Sequence, residues 1–346
     1  MRTGFGERSW WSSRGRARLA YEGGRLDYKQ VPPLEFIGHH PGRISDDTQQ
    51  AILVAEILLE RGWLDPVELS TRLQDWVSWG VGKGRATVDA IRQLAAGVPW
   101  HAAGLPSAGN GAVMRVAPVG LRRWSDGSLR WTEAALSAFP THHDRMAVAS
   151  AVVMADAVAS LIVTAPDHFD ARRFADELVR TATAWVPRQV SERRDPASRA
   201  SLAERLAEVP AYLDAEPAAA IRDHFWIGAF VLESLPAAVW CFLRHAQDPG
   251  EALREALRVG HDTDTVASLA GHAGRGSTVC PGCPPPPRDS GGGRAGGPEA
   301  PPALHPTRWR LGPPWFAPPP GSTRDRVRTR RGRGRAPPRR TARAPA

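Results

Sequence analysis

The stretch RMAVASAVVMADAVASLIV, residues 145–163, is long and apolar, and it indicates a helix rather than a strand. Similar Ala-, Leu- and Val-rich stretches, separated by short breaks of Gly, Pro and Asp, fill the chain from about residue 44 to residue 276. The alternating pattern typical of strands is nearly absent. Many helices joined by short connections predict an all-α fold, with a single compact multi-helix domain in this region.

Start and stop signals around the apolar stretches set the bounds of the other predicted helices. For example, Gly62 directly follows the first of these stretches and favours its end there. The other predicted helices cover residues 45–61, 66–79, 87–96, 132–138, 171–185, 200–208, 229–246, 249–259 and 265–273.

Composition divides the 346 residues into three parts. Residues 1–32 are rich in Gly, Arg and Trp without a clear period, so an irregular start is predicted. Residues 33–276 form the predicted helical domain. Residues 277–346 contain 17 of the 32 prolines, together with Gly and Arg runs. This tail is predicted to be disordered because it buries too little apolar surface to offset its ordering entropy.

The net charge of +9 belongs to the tail. Residues 277–346 contain 14 arginines, no lysine and three acids, a net charge of +11, which leaves −2 for the rest of the chain. The helical domain is therefore not expected to bind nucleic acid. The Arg–Gly alternation at residues 328–335 leaves one alternative open, which is a phosphate-binding arm in the tail.

Two further properties bear on the cellular location. No apolar run reaches the ~18 residues that a membrane helix needs, and residues 1–13 lack the apolar segment of a secretory signal. The three cysteines favour a reducing compartment over a disulfide framework. A cytoplasmic protein without a membrane partner is expected.

The first of two acidic segments, Ser45-Asp46-Asp47-Thr48-Gln49, directly precedes the apolar run 51–59. Ser45 suits the N-cap of a helix, and Asp46 and Asp47 fall in the first turn, where the helix dipole favours negative charge. Taken alone, the segment is explained more simply as a well-capped helix than as a functional site.

The second acidic segment, Gly260-His261-Asp262-Thr263-Asp264-Thr265, precedes a run of small residues and also suits a helix cap. In an extended or turning segment, residues i and i+2 point the same way, so Asp262 and Asp264 are expected to converge. If the fold brings both segments together, four carboxylates would repel strongly without a cation. Carboxylate and hydroxyl oxygens are hard ligands that suit Mg²⁺, Mn²⁺ or Ca²⁺.

A third segment, Ser107-Ala108-Gly109-Asn110-Gly111-Ala112-Val113-Met114-Arg115, is rich in small residues. Small residues let backbone N–H groups approach an anion, such as a pyrophosphate, closely. An ordinary flexible loop explains the composition equally well.

These segments, in this order, resemble the motifs of the ADP-ribosylglycohydrolases. The resemblance is carried by residues 45–49, by the run Gly109-Asn110-Gly111-Ala112-Val113-Met114-Arg115-Val116-Ala117-Pro118, by Thr141-His142 and by Asp262-Thr263-Asp264-Thr265. It covers roughly residues 33–274. It implies a compact all-α domain with two Mg²⁺ or Mn²⁺ ions. It also implies hydrolysis of the glycosidic bond between ADP-ribose and a modified protein or small molecule.

The same resemblance assigns roles to individual residues. The implied metal ligands are Ser45, Asp46, Asp47, Asp262, Asp264 and Thr265. The implied catalytic glutamate is Glu35, in Pro33-Leu34-Glu35-Phe36. The implied contacts with ADP-ribose are Ser107, Gly109, Asn110 and His142.

Two departures from the family pattern leave a second interpretation open. Leu26-Asp27-Tyr28-Lys29-Gln30-Val31-Pro32 replaces the Gly-rich motif expected before the glutamate. The match also ends near Gly274, where the Pro-rich tail follows. The alternative to an active hydrolase is therefore a degenerate relative that binds ADP-ribose without cleaving it, or that folds poorly.

Overall fold

The protein is described here by a computed structural model that covers residues 44–185, 201–225, 228–259 and 262–277. Within these ranges all regular structure is helical, apart from two isolated β-bridges. The predicted all-α fold is therefore confirmed. The predicted irregular start at 1–32 lies outside the described residues, as does the predicted tail beyond its first residue, Ser277.

Within the described ranges, three connections between helices contain 3₁₀ turns, at Val113–Arg115, Pro166–His168 and Val209–Tyr212. The α-helices are α1 (Asp46–Arg61), α2 (Pro66–Trp79), α3 (Arg85–Ala95), α4 (Trp100–Ala103), α5 (Ala117–Arg122), α6 (Gly127–Ala138), α7 (Arg145–Val163), α8 (Ala171–Ala184), α9 (Leu202–Glu208), α10 (Pro217–Asp223), α11 (Val231–Arg244), α12 (Pro249–Arg258) and α13 (Thr263–Ser277). The predicted bounds 66–79 and 145–163 are confirmed residue for residue.

Aspartate side chains explain why several helices begin where they do. At the start of α7, the Asp144 carboxylate accepts from the backbone N–H of Met146 at 2.8 Å and of Ala147 at 3.3 Å. At the start of α2, Asp65 accepts from the backbone N–H of Val67 at 2.9 Å. These caps satisfy N–H groups that have no partner inside the helix, which fixes the first residue of each helix.

Some predictions of helix extent were wrong. Helix α6 begins at Gly127 rather than at 132, because Asp126 caps it at the Leu129 N–H, at 3.0 Å, and the polar first turn has no apolar period. Helix α13 begins at Thr263 rather than at 265. The sequence pattern does not predict the short helices α4, α5 and α10, since one or two turns show too little of the 3.6-residue period.

Helix α7 is at the centre of the fold. It packs against α5, α6, α8, α9, α11 and α13, and its residues from Ala147 to Ala155 are all buried. Contrary to the expectation from sequence, this helix is long and apolar enough, with a mean hydropathy of 2.2, to cross a membrane by length and composition. However, 72% of that window is buried inside the protein, as in the core helix of a bundle.

Helix α13 links the two ends of the domain. It packs against α7, α11 and α12, and it also contacts α1. The first turn of α1 carries Asp46 and Asp47, and the first turn of α13 carries Asp264. The fold therefore places two acid-bearing helices in contact, although they lie far apart in the chain.

Gly120 lies where α5 meets α7 and has no room for a side chain. A Cβ there would lie 2.6 Å from the Ala155 carbonyl oxygen and 2.8 Å from Val158 Cβ. Because both atoms belong to the packed core helix, Gly120→Ala is expected to lower the free energy of unfolding by about 1–3 kcal/mol in urea denaturation. Gly127→Ala is the control, since a Cβ there meets only the flexible end of Arg130, at 3.5 Å. Equal losses in both variants would contradict the close packing.

Candidate active site

One cavity of about 600 Å³ opens where several segments of the chain meet. Its wall is formed by the first turn of α1, the loop after α2 with the start of α3, residues 107–111 (called the Gly-rich loop below), the residues before α11 and the start of α13. The lining residues are Asp46, 81–87, 107–111, Met114, His142, Ala229, Phe230, Asp262, Asp264 and Thr265.

The first acidic segment contributes Asp46 to the wall of the cavity. The Asp46 N–H donates to the Val81 carbonyl at 2.8 Å, which fastens the start of α1 to the loop after α2. Ser45 occupies the N-cap position, but its side chain makes no capping hydrogen bond. Its Oγ instead donates to Asp47 Oδ2 at 3.2 Å. Ser45 therefore has the predicted N-cap position, but its hydroxyl bonds to a carboxylate and not to the backbone N–H groups of the first turn.

Gln49, the last residue of this segment, holds the loop after α2 against α1. Its Oε1 accepts from Trp76 Nε1 at 2.9 Å and from the Val81 N–H at 3.1 Å. Its Nε2 donates to the Ile44 carbonyl at 2.9 Å. Because buried polar groups need partners to replace water, these bonds fix the course of the loop.

The loop after α2 approaches Asp46 so closely that Gly82 has to be a glycine. Its φ of 75° lies in the left-handed region, and a Cβ there would lie 2.7 Å from Asp46 Oδ1. This part of the wall was not expected from the sequence, although the run Gly80-Val81-Gly82-Lys83-Gly84 is a visible signal for a close backbone approach.

The second acidic segment lines the cavity with Asp262, Asp264 and Thr265, all of them buried. Because α13 begins at Thr263, Asp264 lies in the first helical turn and not in the extended segment from which convergence was expected. The two carboxylates nevertheless reach the same cavity. Asn110 Nδ2, from the Gly-rich loop, donates to Asp262 Oδ2 at 2.6 Å.

The Gly-rich loop is tied to the residues before α11. The Asn110 N–H donates to the Ala229 carbonyl and the Val231 N–H donates to the Ala108 carbonyl, both at 2.9 Å. These two bonds pair the loop with the chain before α11 as a short antiparallel bridge. The loop backbone is therefore held in place, unlike that of the ordinary flexible loop considered as an alternative.

His142 lies beside the Gly-rich loop. A Cβ at Gly109 or Gly111 would lie 3.3 Å or 3.2 Å from its Nε2, so these glycines leave space for the ring. Burial, followed by the charge of Arg115, lowers the pKa of His142 to about 3. The imidazole is therefore neutral at physiological pH.

Eight of the residues expected from the sequence line the cavity, namely Asp46, Ser107, Gly109, Asn110, His142, Asp262, Asp264 and Thr265. Ser45 and Asp47 do not line it and are buried, with 1% exposure each. Glu35 lies outside the described residues. Segments from both ends of the domain thus line the same cavity. The Asn110–Asp262 hydrogen bond joins residues 152 positions apart in the chain.

The oxygen atoms around the cavity suit a hard divalent cation. The carboxylates of Asp46, Asp262 and Asp264 and the hydroxyl of Thr265 are donors of the kind that Mg²⁺ and Mn²⁺ prefer. Within the described ranges, no three His, Cys, Asp or Glu side chains form a metal-binding group by themselves. An ion held here would therefore need hydroxyl and water oxygens as well, as Mg²⁺ usually does.

The sequence of this chain is similar to those of several known proteins. The chain matches the family model described as ADP-ribosylglycohydrolase over residues 6–273. It is 29% identical over 243 residues to an uncharacterized protein of Archaeoglobus fulgidus, which covers 69% of this chain and 73% of that protein. It is 26% identical over 267 residues to a Pseudomonas putida protein named ADP-ribosylarginine hydrolase Tri1, which covers 72% of this chain and 64% of that protein.

A solved structure titled ADP-ribosylglycohydrolase-related protein complex is similar in three dimensions. The TM-score is 0.52 at 27% sequence identity. The match covers 72% of this chain and 76% of that chain. The likeness in fold therefore extends over most of the helical domain.

Gln49→Leu is expected to destabilise the protein. The change leaves the buried Trp76 indole N–H and the Val81 N–H without their acceptor, which should lower the free energy of unfolding by about 1–3 kcal/mol. Urea denaturation measures the effect. Gln74→Leu is the control, because the Gln74 amide donates only to the Ser70 carbonyl within its own helix. A loss no larger than that of the control would show that Gln49 does not hold the loop.

The lowered pKa of His142 predicts a pH dependence of stability. A histidine whose pKa falls from 6.5 to about 3 on folding binds a proton more readily in the unfolded chain. Stability is therefore lost as the pH falls from about 6.5 towards 3, by about 1.4 kcal/mol per pH unit. The free energy of unfolding of the wild type minus that of His142→Gln should decline over this window. A difference that stays constant between pH 7 and pH 4 would be inconsistent with a buried neutral ring.

Proposed function

We propose, on the premise that this chain belongs to the ADP-ribosylglycohydrolase family, that it hydrolyses the glycosidic bond between ADP-ribose and a modified protein or small molecule. The observation that carries the proposal is the cavity, which combines both acidic segments with the Gly-rich loop and His142. Its volume of about 600 Å³ is within the usual range for small-molecule sites. Glycosidic hydrolysis uses carboxylates around the scissile bond, and three carboxylates line this cavity.

The proposal includes two divalent cations, Mg²⁺ or Mn²⁺. The residues proposed to hold them are Ser45, Asp46, Asp47, Asp262, Asp264 and Thr265. When bound, the cations would supply positive charge that orients and polarises the ribose hydroxyls and a water. The oxygen donors that line the cavity support this proposal for Asp46, Asp262, Asp264 and Thr265, whereas Ser45 and Asp47 lie outside the lining and are included on the resemblance to the family. Gly82 adds support, because any Cβ there would fill the space beside the Asp46 carboxylate.

The Gly-rich loop and His142 are proposed to bind the ADP-ribose. Ser107 and Gly109 are small and would let the phosphates approach this part of the wall closely. Their own backbone N–H groups donate to the Leu105 carbonyl and to the Ser107 hydroxyl, so the contacts proposed here are close approach and the Ser107 side chain. Asn110 would also act within the site, because its amide donates to Asp262 Oδ2 and so orients that carboxylate. His142, which is neutral at physiological pH, would contribute a hydrogen bond rather than a charge.

In the proposed reaction, the bond between the anomeric carbon of the ribose and the acceptor atom breaks, and a water oxygen takes the place of the acceptor. One water proton passes to the departing acceptor, and the other stays on the new hydroxyl. Positive charge develops on the ribose as the bond breaks, and the carboxylates of the cavity would stabilise it. Glu35 is proposed to position the substrate or to exchange the proton.

The acceptor from which ADP-ribose is released is the finer part of the proposal. The relative from Pseudomonas putida is named for ADP-ribosylarginine, so an arginine linkage is the first substrate to test. Serine-linked, nucleic-acid-linked and small-molecule substrates complete the panel. The Arg–Gly run at residues 328–335 lies outside the described residues, and nucleic-acid binding by it stays a separate alternative.

Asp262→Asn tests this chemistry, because it removes one carboxylate charge at nearly constant shape. Release of ADP-ribose from the panel is measured with added Mg²⁺ and with a chelator. The wild type is expected to release ADP-ribose only with the metal, and the variant about 100- to 1,000-fold more slowly. Asp248→Asn is the matched control, since Asp248 also precedes a helix but caps α12 at an exposed position.

Three outcomes decide the matter. Full magnesium-dependent release by Asp262→Asn would contradict the proposed mechanism. A wild-type protein that binds ADP-ribose in calorimetry, but releases none from any substrate, would contradict hydrolysis and favour the degenerate, non-catalytic alternative. A loss in the Asp248→Asn control equal to that of Asp262→Asn would mean that the losses report on folding rather than on the cavity.

A further inference from the structure

Arg115 is a cation in the interior of the protein, with 0% of its surface exposed. Its guanidinium donates to Gln50 Oε1 at 2.7 Å, to the Ser137 carbonyl at 2.5 and 3.1 Å, and to Thr141 Oγ1 at 2.6 Å. All of these acceptors are neutral. Burial lowers the pKa of Arg115 to about 9, which still leaves it charged at neutral pH. Burying a charge costs free energy, which the hydrogen bonds of the Arg115 guanidinium offset only in part. The position of Arg115 in the core therefore suggests a function.

The Thr141 hydroxyl joins Arg115 to His142. Its Oγ1 accepts from Arg115 Nη2 at 2.6 Å and lies 2.8 Å from His142 Nδ1. A hydroxyl has two lone pairs and one hydrogen, so the hydrogen has to be assigned to one neighbour. The alternative acceptor is the Ala138 carbonyl at 3.4 Å, which is at the far end of hydrogen-bond range. The distances therefore favour donation from Thr141 to His142 Nδ1.

The charge of Arg115 also favours donation from the Thr141 hydroxyl to His142 Nδ1. A cation that donates to a hydroxyl oxygen makes that oxygen a weaker acceptor and its hydrogen a stronger donor. His142 Nδ1 is then the acceptor, and the neutral ring carries its hydrogen on Nε2. The other tautomer would aim the Nδ1 hydrogen at an oxygen that already receives a charged N–H.

The backbone holds this chain of bonds against the cavity. The N–H groups of Thr141 and His142 both donate to the Ala138 carbonyl, at 3.0 and 2.9 Å, and the Leu105 N–H donates to the Thr141 carbonyl at 3.1 Å. His142 lines the cavity, and its Nε2 is the ring atom nearest to a Cβ placed at Gly109. The Nε2 edge of the ring therefore faces the Gly-rich loop.

We infer that Arg115 and Thr141 are positioning residues that hold His142 as the neutral tautomer with its hydrogen on Nε2, directed at the ligand in the cavity. His142 then presents a donor and no acceptor, which selects an oxygen of a phosphate or a ribose over a donor group such as an amide N–H. The inference rests on the proposed function, because ADP-ribose is the ligand whose oxygens would accept this bond.

The tautomer is measured by long-range ¹H–¹⁵N NMR on the full-length protein labelled with ¹⁵N-histidine, since protonated and unprotonated ring nitrogens differ clearly in shift. The His142 signals are those absent from His142→Gln. The wild type is expected to show a protonated Nε2 and an unprotonated Nδ1. Thr141→Val removes the hydroxyl at nearly constant volume and should populate the second tautomer, whereas Thr141→Ser should restore the wild-type pattern.

Calorimetry with ADP-ribose on the same proteins measures the consequence for binding. Thr141→Val is expected to bind ADP-ribose about ten- to a hundredfold more weakly. In the second tautomer, His142 no longer has the Nε2 hydrogen that donates to a charged oxygen of the ligand. With a turnover substrate, the change should raise KM more than it lowers kcat. Ser137→Ala is the control, because the Ser137 hydroxyl donates to the Ala134 carbonyl while Arg115 uses the Ser137 backbone oxygen.

The outcomes separate this inference from the proposed function. A wild-type ring with its hydrogen on Nδ1 would overturn the inference even if Thr141→Val did not fold, and hydrolysis of the panel would stand unaffected. A folded Thr141→Val protein with an unchanged tautomer and affinity would overturn it as well. A wild type that shows the expected tautomer but neither binds nor releases ADP-ribose would contradict the proposed function and leave the hydrogen-bond chain supported.

Discussion

The carboxylates of Asp46, Asp262 and Asp264 line one cavity, and their placement there by separate helices is the constraint on which the site depends. Groups of like charge stay close only where rigid elements hold them. Here α13, which carries Asp264 and directly follows Asp262, is packed against α1, α7, α11 and α12. The Asn110 amide adds a direct bond to Asp262 from a third part of the chain. Carboxylates that line one cavity would favour a divalent cation, so the placement of the acids is also the basis of the proposed chemistry.

The rigidity that this constraint demands comes from the core. Helix α7 is buried on nearly all sides, and its small residues let neighbouring helices approach closely, as Gly120 of α5 does. Close-packed interiors resist displacement, so the helices that bear the acids have fixed positions. The loop after α2 is fixed in a different way, through the Gln49 side chain, which bonds to both Trp76 and Val81. Packing and a few buried hydrogen bonds together define the wall of the cavity.

Another part of the wall has the opposite electrostatic character. Lys83 and Arg85 line the cavity, and the neutral His142 is connected to the buried charge of Arg115 through the Thr141 hydroxyl. The Lys83 and Arg85 side chains are exposed, so solvent screens their charge and they would favour an anionic group only weakly, whereas a cation would prefer the carboxylates. ADP-ribose, the proposed ligand, has phosphates at its centre and a ribose at the reacting end. This division of charge would therefore favour one orientation of the ligand in the cavity.

The sequence by itself determined the helical class, the bounds of α2 and α7, and the acidic segments, because caps, apolar periods and neighbouring acids are local features. Only the tertiary structure decided that Asp46 and Asp262 share a cavity, and that the Ser45 hydroxyl faces Asp47 instead of capping α1. It also decided which loops complete the wall and which groups Gln49 and Arg115 contact. The physical reason is the distance along the chain over which each interaction acts. Capping and periodicity act over a few residues, whereas a contact such as Asn110–Asp262 joins residues 152 positions apart and exists only after the helices have packed.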